Sequence, residues 1–150
     1  MQIRLAIPAD LDTVCDYNVR LARETEGKSL DLALLWPGVA AVLQDAEKGR
    51  YYVAEIAGRV VGQLALTFEW SDWRNGWFWW IQSVYVQKDA RRQGVFRALF
   101  AHVETEARRD PHVIGIRLYV EDENETAHAT YERLGLRRTT YRVREKYPLD

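Results

Sequence analysis

The sequence predicts a mixed α+β domain in which helices flank a mostly antiparallel central sheet. Short runs alternate apolar and polar residues, as strands do, and longer runs repeat apolar residues every three or four positions, as helices do. The chain of 150 residues is long enough for one domain with a single core. We expect the order β-α-α-β-β-β-α-β-α-β and one domain over residues 1–150.

The first part of the chain predicts one short strand and two helices. Residues 3–7 alternate and predict a strand that ends before Pro8. Residues 9–26 follow helical spacing. A second helix is expected after Asp31 and up to about residue 48, broken or kinked at residues 36–38, because Pro37 has no backbone N–H to donate.

The middle of the chain predicts a hairpin and a third strand. Residues 51–57 and 60–70 alternate on either side of an Ala-Gly-Arg turn, which is typical of a β-hairpin. Apolar residues of the second arm share one face, and Glu69 falls on the other. Residues 77–86 then predict the next strand.

The last third predicts a helix, a strand, a second helix and a final strand. A helix is expected to begin near Gly94, and residues 114–120 alternate as a strand. Asn124 is suited to cap the next helix and Gly135 to end it. Residues 139–147 predict the final strand.

Composition excludes several classes of protein. The net charge of −1 and the 47% of hydrophobic residues indicate neither a disordered chain nor a generally basic nucleic-acid surface. The single cysteine, Cys15, excludes an internal disulfide and a zinc site of paired thiolates, and we interpret it as a small core residue. The N-terminus lacks a signal-peptide core, and the apolar run at residues 76–81 is too short to span a bilayer. We therefore expect a cytoplasmic protein with no membrane or nucleic-acid partner.

The three histidines, His102, His112 and His128, show no metal-ligand spacing to one another or to paired carboxylates. We interpret them as surface or helix-end residues. No metal site is expected.

A strand, a basic turn and an amphipathic helix follow one another within residues 81–107. The apolar stripe of the helix consists of Phe96, Leu99, Phe100, Val103 and Ala107. A helix N-terminus leaves about four N–H groups unpaired and carries partial positive charge, so a turn that sets it beside arginines can hold phosphate. Gly94 would allow a close backbone approach. The patterns of the P-loop and of dinucleotide sites are both absent.

Two segments resemble motifs of the Gcn5-related N-acetyltransferase (GNAT) family. The run from Arg91 to Phe96, read Arg-Arg-Gln-Gly-Val-Phe, is similar to motif A, Arg/Gln-x-x-Gly-x-Gly/Ala, except that Phe96 replaces the second small residue. Residues 117–136 resemble motif B, in which Asn, Ala, Tyr and Gly stand at the spacing of Asn124, Ala127, Tyr131 and Gly135.

The resemblance implies acetyl-coenzyme A as co-substrate and a sheet that splays at the cofactor strand. It implies that backbone amides at the helix start hold the pyrophosphate, that Arg91 or Arg92 meets the phosphates, and that the preceding strand offers backbone groups to the pantetheine arm. An N-cap role alone is sufficient to explain Asn124. The cofactor-binding residues that the resemblance implies are Val84, Tyr85, Val86, Arg91, Arg92, Gln93, Gly94, Val95, Phe96, Arg97 and Asn124. Phe96 is interpreted as core packing, with or without an effect on cofactor affinity.

The candidate catalytic residues are Tyr131, which the resemblance implies, and Glu69, a base that would act directly or through water. Tyr131 would act as general acid to the leaving thiolate, since a phenol with a pKa near 10 can donate to a thiolate without being ionised at rest. The alternative is that its ring fills the helix stripe. Where many members carry a strand glutamate this chain has Gln82 and Ser83, so Glu69 and Asp72 are the nearest candidate bases; the alternative is that both are solvated surface carboxylates.

Five tryptophans crowd residues 70–80. One interpretation is core packing plus a buried surface of a homodimer, because large apolar patches mark interfaces. The other is an aromatic wall that holds a cationic acceptor by cation–π contact.

The sequence thus predicts an acetyl-coenzyme A-dependent N-acetyltransferase acting by direct attack of a small amine. The lean towards a cationic acceptor comes from acidic residues in the segments expected to line the pocket, namely Glu24, Glu26, Asp31, Glu69 and Asp72. The alternative is a non-catalytic acyl-coenzyme A binding or sensing module of the same fold, favoured by the missing strand glutamate and by Phe96.

Overall fold

The computed structural model describes residues 1–149, and its centre is a five-stranded sheet in the order β1-β2-β3-β4-β5. The first four strands are antiparallel neighbours, whereas β5 runs parallel to β4. The strands are β1 (Gln2–Leu5), β2 (Arg50–Ile56), β3 (Arg59–Ser71), β4 (Gly76–Val86) and β5 (Val113–Leu118). The mixed α+β class with a mostly antiparallel sheet is confirmed.

Helices cover both faces of this sheet. They are α1 (Leu11–Glu26), α2 (Leu32–Gln44) and α3 (Val95–Arg109), and a further helix, α4 (Glu125–Arg133), follows β5 in the chain. Tyr51 of β2 belongs to a core cluster with residues of α1 and α2, while the next residue, Tyr52, meets His102 of α3 edge-on at 5.1 Å between ring centroids. Because successive side chains of a strand point to opposite faces, α3 lies across the sheet from α1 and α2.

The chain divides into two compact units. Met1–Tyr119 form the first, which contains the sheet and the helices α1 to α3, and the chain from Val120 forms the smaller second, which contains α4. A single domain over residues 1–150 stays a prediction. No helix within the described residues combines the length and the apolar character needed to cross a membrane.

The second helix differs from the prediction. It runs without a break through Pro37 and ends at Gln44, short of residue 48. Proline at the sixth position of the helix removes only the N–H that would have bonded the Ala33 carbonyl, so the remaining turns persist. Asp31 caps the helix, because its side chain accepts a hydrogen bond from the Ala33 N–H at 2.9 Å.

The predicted final strand is also absent. Residues 139–147 form no strand, and every side chain from 137 to 149 is exposed. An alternating sequence pattern indicates which side chains would lie on one face of a strand. The strand itself forms only where a neighbouring strand accepts and donates its backbone hydrogen bonds.

Cys15 is a core residue, as predicted. It is buried in the cluster of α1 and α2 with the sheet, together with Val14, Val39 and Val53. Burial raises the pKa of its thiol, which keeps the group neutral and suits a packing role.

Candidate active site

Strand β4 loses its register with β3 near its C-terminal end. Gln82 lies opposite Ala65, but Tyr85 lies opposite Gln63, so β4 takes three steps where β3 takes two. Ser83, within this interval, has a left-handed backbone with φ 49°. Such a bulge bends the strand and redirects its groups, which is common next to active sites.

The parallel partner of β4 leaves it just before this bulge. The ladder with β5 ends where Ile81 meets Leu118, and residues 82–86 have only β3 beside them. The Gln87 N–H bonds the Val61 carbonyl at 2.8 Å, so by alternation of the antiparallel ladder the Val86 backbone points away from β3, to the side that β5 has left. The sheet therefore splays at this strand, as the resemblance implies.

A buried chain of polar side chains supports the bulge. The Asn18 side-chain amide donates to the Tyr51 hydroxyl at 3.0 Å, and the Gln63 amide donates to the Asn18 carbonyl oxygen at 3.1 Å and to the Ser83 backbone carbonyl at 3.3 Å. Gln63 is fully buried, and its Oε1 has no hydrogen-bond partner within the described residues. Sequence reasoning did not single out these residues, although a glutamine inside an apolar strand was a signal.

The turn between β4 and α3 contains two left-handed residues, Arg92 with φ 65° and Gly94 with φ 78°. A Cβ on Gly94 would meet no atom within 4 Å, so glycine is required here by the backbone conformation rather than by crowding. Helix α3 begins at Val95, as predicted. The backbone N–H groups in the first turn of a helix have no earlier carbonyl of that helix as acceptor. Turns with left-handed residues can direct successive N–H groups towards an anion.

The arginines of this turn have different surroundings. Arg91 donates to Glu24 of α1 at 2.5 Å and to the Val86 carbonyl at 2.9 Å. Arg92 and Arg97, in contrast, are exposed and form no ion pair with any residue in the range 1–149. Within this turn, the cations without a protein anion are therefore Arg92 and Arg97.

Glu24 joins Arg91 to the strand. Its carboxylate also accepts from the Tyr85 hydroxyl at 3.1 Å. The Arg91 guanidinium holds the pKa of Glu24 below its usual value, and burial followed by the Glu24 carboxylate raises the pKa of Tyr85. The pair is thus a carboxylate and a neutral phenol at neutral pH.

The remaining residues of the turn serve its local structure. The Gln93 side-chain amide donates to the Asp89 carbonyl at 2.8 Å, and Val95 is buried. Phe96 is half-buried, with its ring 6.2 Å from the ring of Phe100, in agreement with its interpretation as core packing.

Glu69 lies far from the bulge. It sits opposite Phe78 on β4, six residues before Val84, which is roughly 20 Å along a strand. Its carboxylate accepts from Arg117 at 2.8 Å. Direct proton transfer requires hydrogen-bond distance, and the role of Glu69 as a base, acting directly or through water, stays a prediction.

The aromatic residues near Glu69 are mostly matched with the protein's own cations. The Arg117 guanidinium lies 3.6 Å from the ring centre of Phe78, and Arg50 lies over both Phe68 and Trp79 at 5.3 and 5.8 Å. Phe78 and Trp79 of the expected aromatic wall therefore already contact arginines of the chain, and the wall as a site for a cationic acceptor stays a prediction. Trp79 is buried, whereas the exposed tryptophans of the cluster are Trp70, Trp73 and Trp77.

Within the second unit, α4 has the predicted ends. The Asn124 side chain accepts from the Ala127 N–H at 3.0 Å, and the Leu136 N–H bonds the Tyr131 carbonyl at 3.0 Å just past Gly135. Burial raises the pKa of Tyr131, so its hydroxyl stays protonated at neutral pH.

The prediction for the histidines is wrong for His128. Its ring is buried and lies 3.1 Å from the Glu121 carbonyl oxygen, because it faces inward from α4. Among residues 1–149 there is no group of three or more His, Cys, Asp or Glu side chains that could hold a metal ion.

A family model described as the acetyltransferase (GNAT) family matches residues 14–136. The chain belongs to the GNAT family. The match includes the splayed strand, the turn at Gly94 and helix α4. No curated protein matches the sequence.

Solved structures agree with this assignment. A "possible acetyltransferase" from Clostridium difficile 630 is 48% identical, with a TM-score of 0.94 over 99% of this chain and 98% of that one. A "probable acetyltransferase" is 25% identical, with a TM-score of 0.85 over 100% and 99%. A transcriptional regulator from Bacillus halodurans C-125 shares the fold at 21% identity and a TM-score of 0.80, over 97% and 99%.

Proposed function

We propose that this GNAT protein is an acetyl-coenzyme A-dependent N-acetyltransferase that acts on a small amine. The observation that carries the proposal is the junction of β4 and α3, where a splayed, bulged strand leads into a helix that begins at a left-handed glycine. The strand end leaves backbone groups without a neighbour, and the helix start offers amides to an anion. One junction thus suits both an amide-bearing arm and a diphosphate.

The residues of the junction fit the diphosphate of coenzyme A. The space above Gly94 is open, and Arg92 and Arg97 stand exposed on either side of it in the sequence. We assign the diphosphate to the backbone from Gln93 to Arg97, with Arg92 and Arg97 as the neutralising cations. Arg91 contributes by fixing the turn through Glu24 and Val86 rather than as the main phosphate ligand. Asn124 keeps its proposed second role at the cofactor arm.

The chemistry is proposed to depend on positioning and on one proton donor. The amine nitrogen attacks the thioester carbonyl, so that a C–N bond forms, the C–S bond breaks and the electron pair leaves with sulfur. The surplus proton of the nitrogen passes to solvent water, from which Tyr131 later regains its own proton. Tyr131 donates its phenolic proton to that thiolate, and its raised pKa supports this role because the phenol is protonated at rest. Holding the reactants together supplies most of the rate enhancement.

The positive charge expected for the acceptor depends on acidic residues in the segments predicted to line the pocket. Each acid that suggested a cationic acceptor has a partner: Glu24 with Arg91, Glu26 with Lys28, Glu69 with Arg117, and Asp31 and Asp72 with the backbone N–H groups of Ala33 and Trp73. Part of their charge is therefore compensated. We propose a small amine and treat its extra positive charge as the property to test.

The alternative function is a non-catalytic acyl-coenzyme A binding module. It is favoured by Gln82, whose side-chain amide donates to Thr67 at 2.9 Å, because a glutamine stands there instead of a carboxylate base. Both functions share the cofactor site. They differ only in turnover.

The deciding experiment combines binding and turnover. Calorimetry with coenzyme A tests the site, and thiol release from acetyl-coenzyme A is followed with a panel of small amines that includes monoamines, polyamines and neutral arylamines. Binding with amine-dependent thiol release supports the enzyme, and a preference for polyamines supports a cationic acceptor. Binding without turnover on any amine supports the sensing module, and no binding rejects both.

A further inference from the structure

The side-chain amide of Gln63 is buried in an apolar stretch of β3. The residue is 0% exposed, as are Leu64 and Leu66 of the same strand. Moving an amide into such surroundings is unfavourable unless hydrogen bonds replace those it made with water. Gln63 is compensated on one side only, because its Nε2 donates twice while its Oε1 has no partner within residues 1–149. Packing alone therefore does not explain why a glutamine stands here.

The hydrogen bonds of Gln63 fix the direction of its amide. A backbone carbonyl can only accept, so the bond of 3.3 Å to the Ser83 oxygen comes from the Nε2 group. Nε2 also donates to the Asn18 oxygen at 3.1 Å, and the Asn18 amide in turn donates to the Tyr51 hydroxyl at 3.0 Å. Side chains from α1, β2 and β3 thus hold one donor against the bulge of β4.

The Ser83 carbonyl belongs to the same peptide unit as the Val84 N–H. This peptide is trans, so its carbonyl and its N–H point in opposite directions. Because the carbonyl is turned towards Gln63, the Val84 N–H points away from β3 and α1. The ladder of β4 with β5 has already ended at Ile81. The Val84 N–H is therefore directed to the side that β5 has left.

The backbone of Ser83 needs such a hold. Its φ of 49° lies in the left-handed region, which is unfavourable for a residue with a side chain and persists only where the surroundings maintain it. The Gln63 amide acts on the carbonyl of this same residue. Without that donor, the peptide between Ser83 and Val84 would be freer to rotate, and the Val84 N–H would lose its fixed direction.

We propose that Gln63 is a positioning residue, which fixes the Ser83 carbonyl so that the Val84 N–H donates to a carbonyl oxygen of the pantetheine arm. The arm carries amide groups, whose carbonyl oxygens require a donor once they leave water. Gln63 is fully buried and acts only through the peptide of Ser83 and Val84. The proposal rests on the proposed function, because it concerns an arm of the same co-substrate.

The first test compares Gln63→Met with Tyr51→Phe as its matched control. Methionine keeps the length of glutamine but has no donor, whereas Tyr51→Phe removes a hydrogen bond of the same buried chain and leaves the bond to Ser83 in place. Calorimetry uses coenzyme A and 3′-phospho-ADP, the fragment that keeps the diphosphate and lacks the pantetheine arm. Gln63→Met should weaken binding of coenzyme A about fivefold to tenfold, the scale of one hydrogen bond, and leave binding of the fragment unchanged. Tyr51→Phe should bind both ligands as the wild type does.

The fragment separates a failure of this proposal from a failure of the proposed function. A wild type that binds neither ligand rejects both. If the wild type binds both ligands and Gln63→Met keeps its affinity for coenzyme A, the role of Gln63 alone is overturned. An equal loss for coenzyme A and for the fragment also overturns it, because general damage to the fold would weaken both.

The second test uses the wild type and does not depend on the folding of any variant. In nitrogen-labelled protein, the amide resonance of Val84 should shift and its hydrogen exchange should slow when coenzyme A is added, and neither should change with 3′-phospho-ADP. The Tyr85 amide is the internal control, since Tyr85 lies opposite Gln63 in the ladder and should respond less to coenzyme A. A Val84 amide that exchanges equally fast with and without coenzyme A overturns the proposal.

Discussion

The two halves of β4 have opposite surroundings. From Trp77 to Ile81 the strand lies between β3 and β5, and Phe78 and Trp79 contact arginines of the chain. From Gln82 to Val86 it has one neighbouring strand among the described residues, a left-handed serine and an adjoining helix start. The first half is paired on both sides within the chain, and the second half is the one to which we assign the cofactor.

The difference teaches that residue type alone did not locate the site. Tryptophans and acids near the first half favoured an acceptor site there, yet Arg117 contacts both Glu69 and Phe78. The second half is marked by backbone geometry instead, at Ser83 and Gly94. The proposed cofactor site therefore lies where the backbone lacks a second strand partner, and not where acids and tryptophans cluster.

The largest expected effect concerns Tyr131, the proposed general acid. Tyr131→Phe should lower kcat about 100-fold, the scale of a lost general acid, and leave the Kd for coenzyme A unchanged. Because burial raises the pKa of Tyr131, wild-type kcat should fall only at pH above the usual tyrosine pKa of roughly 10. The variant should lack that decline. Steady-state kinetics across pH check this, and unchanged turnover in the variant removes the assigned acid.

The next effect sharpens the comparison at the helix start. Gly94→Val should weaken coenzyme A binding at least about 30-fold and cost about 1–2 kcal/mol of stability through left-handed strain. Gly27→Val is the matched control, since Gly27 also has positive φ and open space but ends α1. It should lose similar stability and keep its affinity. Calorimetry and thermal unfolding separate the two, and equal affinities in both variants would contradict the assignment.

A smaller effect is expected at Glu24, the residue that holds Arg91. Glu24→Gln should weaken coenzyme A binding about threefold, because the turn loses the ion pair that fixes Arg91. Arg91 lowers the pKa of Glu24, so the stabilisation is present above the usual glutamate pKa of roughly 4.3 and is lost as pH falls through the lower folded-state value. The variant should therefore lose stability less steeply in acid. Calorimetry and acid titration test both, and a gain of affinity would show that a freed Arg91 acts as a phosphate ligand instead.

The smallest effect is expected at Glu69, which pairs with the first half of β4. Glu69→Gln should leave kcat within about twofold and cost less than about 1 kcal/mol, because an exposed ion pair contributes little. Asp72→Asn is the control for a nearby charge change. If kcat falls steeply in Glu69→Gln alone, the end of β3 that pairs with the first half of β4 takes part in catalysis.

Much of the fold was predictable because its signals are local. The hairpin turn at residues 57–58, the start of α3 after Gly94 and the Asn124 cap each depend on a few neighbouring residues. The errors have two causes. Pro37 removes only one backbone hydrogen bond from α2, so the helix continues through it, and residues 139–147 form no strand because alternation does not supply a partner strand.

The site divides in the same way. The glycine and arginines of the turn could be read as a phosphate-binding pattern, but the pairing of Arg91 with Glu24 joins residues 67 positions apart. The contact of Glu69 with Arg117 is similarly distant at 48 positions. Such long-range contacts leave no periodic pattern in the sequence. The sequence therefore identifies charged candidate residues but not which of them form ion pairs within the chain.

The hydrogen bonds from Gln63 to Asn18 and Ser83 have a consequence for how the molecule folds. They join positions 45 and 20 apart in the chain, so α1 contacts through Asn18 the amide that bonds the Ser83 carbonyl. An isolated β3–β4 hairpin would keep the Gln63 amide but lose the Asn18 oxygen that accepts from it. Detachment of that helix should therefore relax the kink before the remaining strands separate, and competence to bind would disappear ahead of global unfolding.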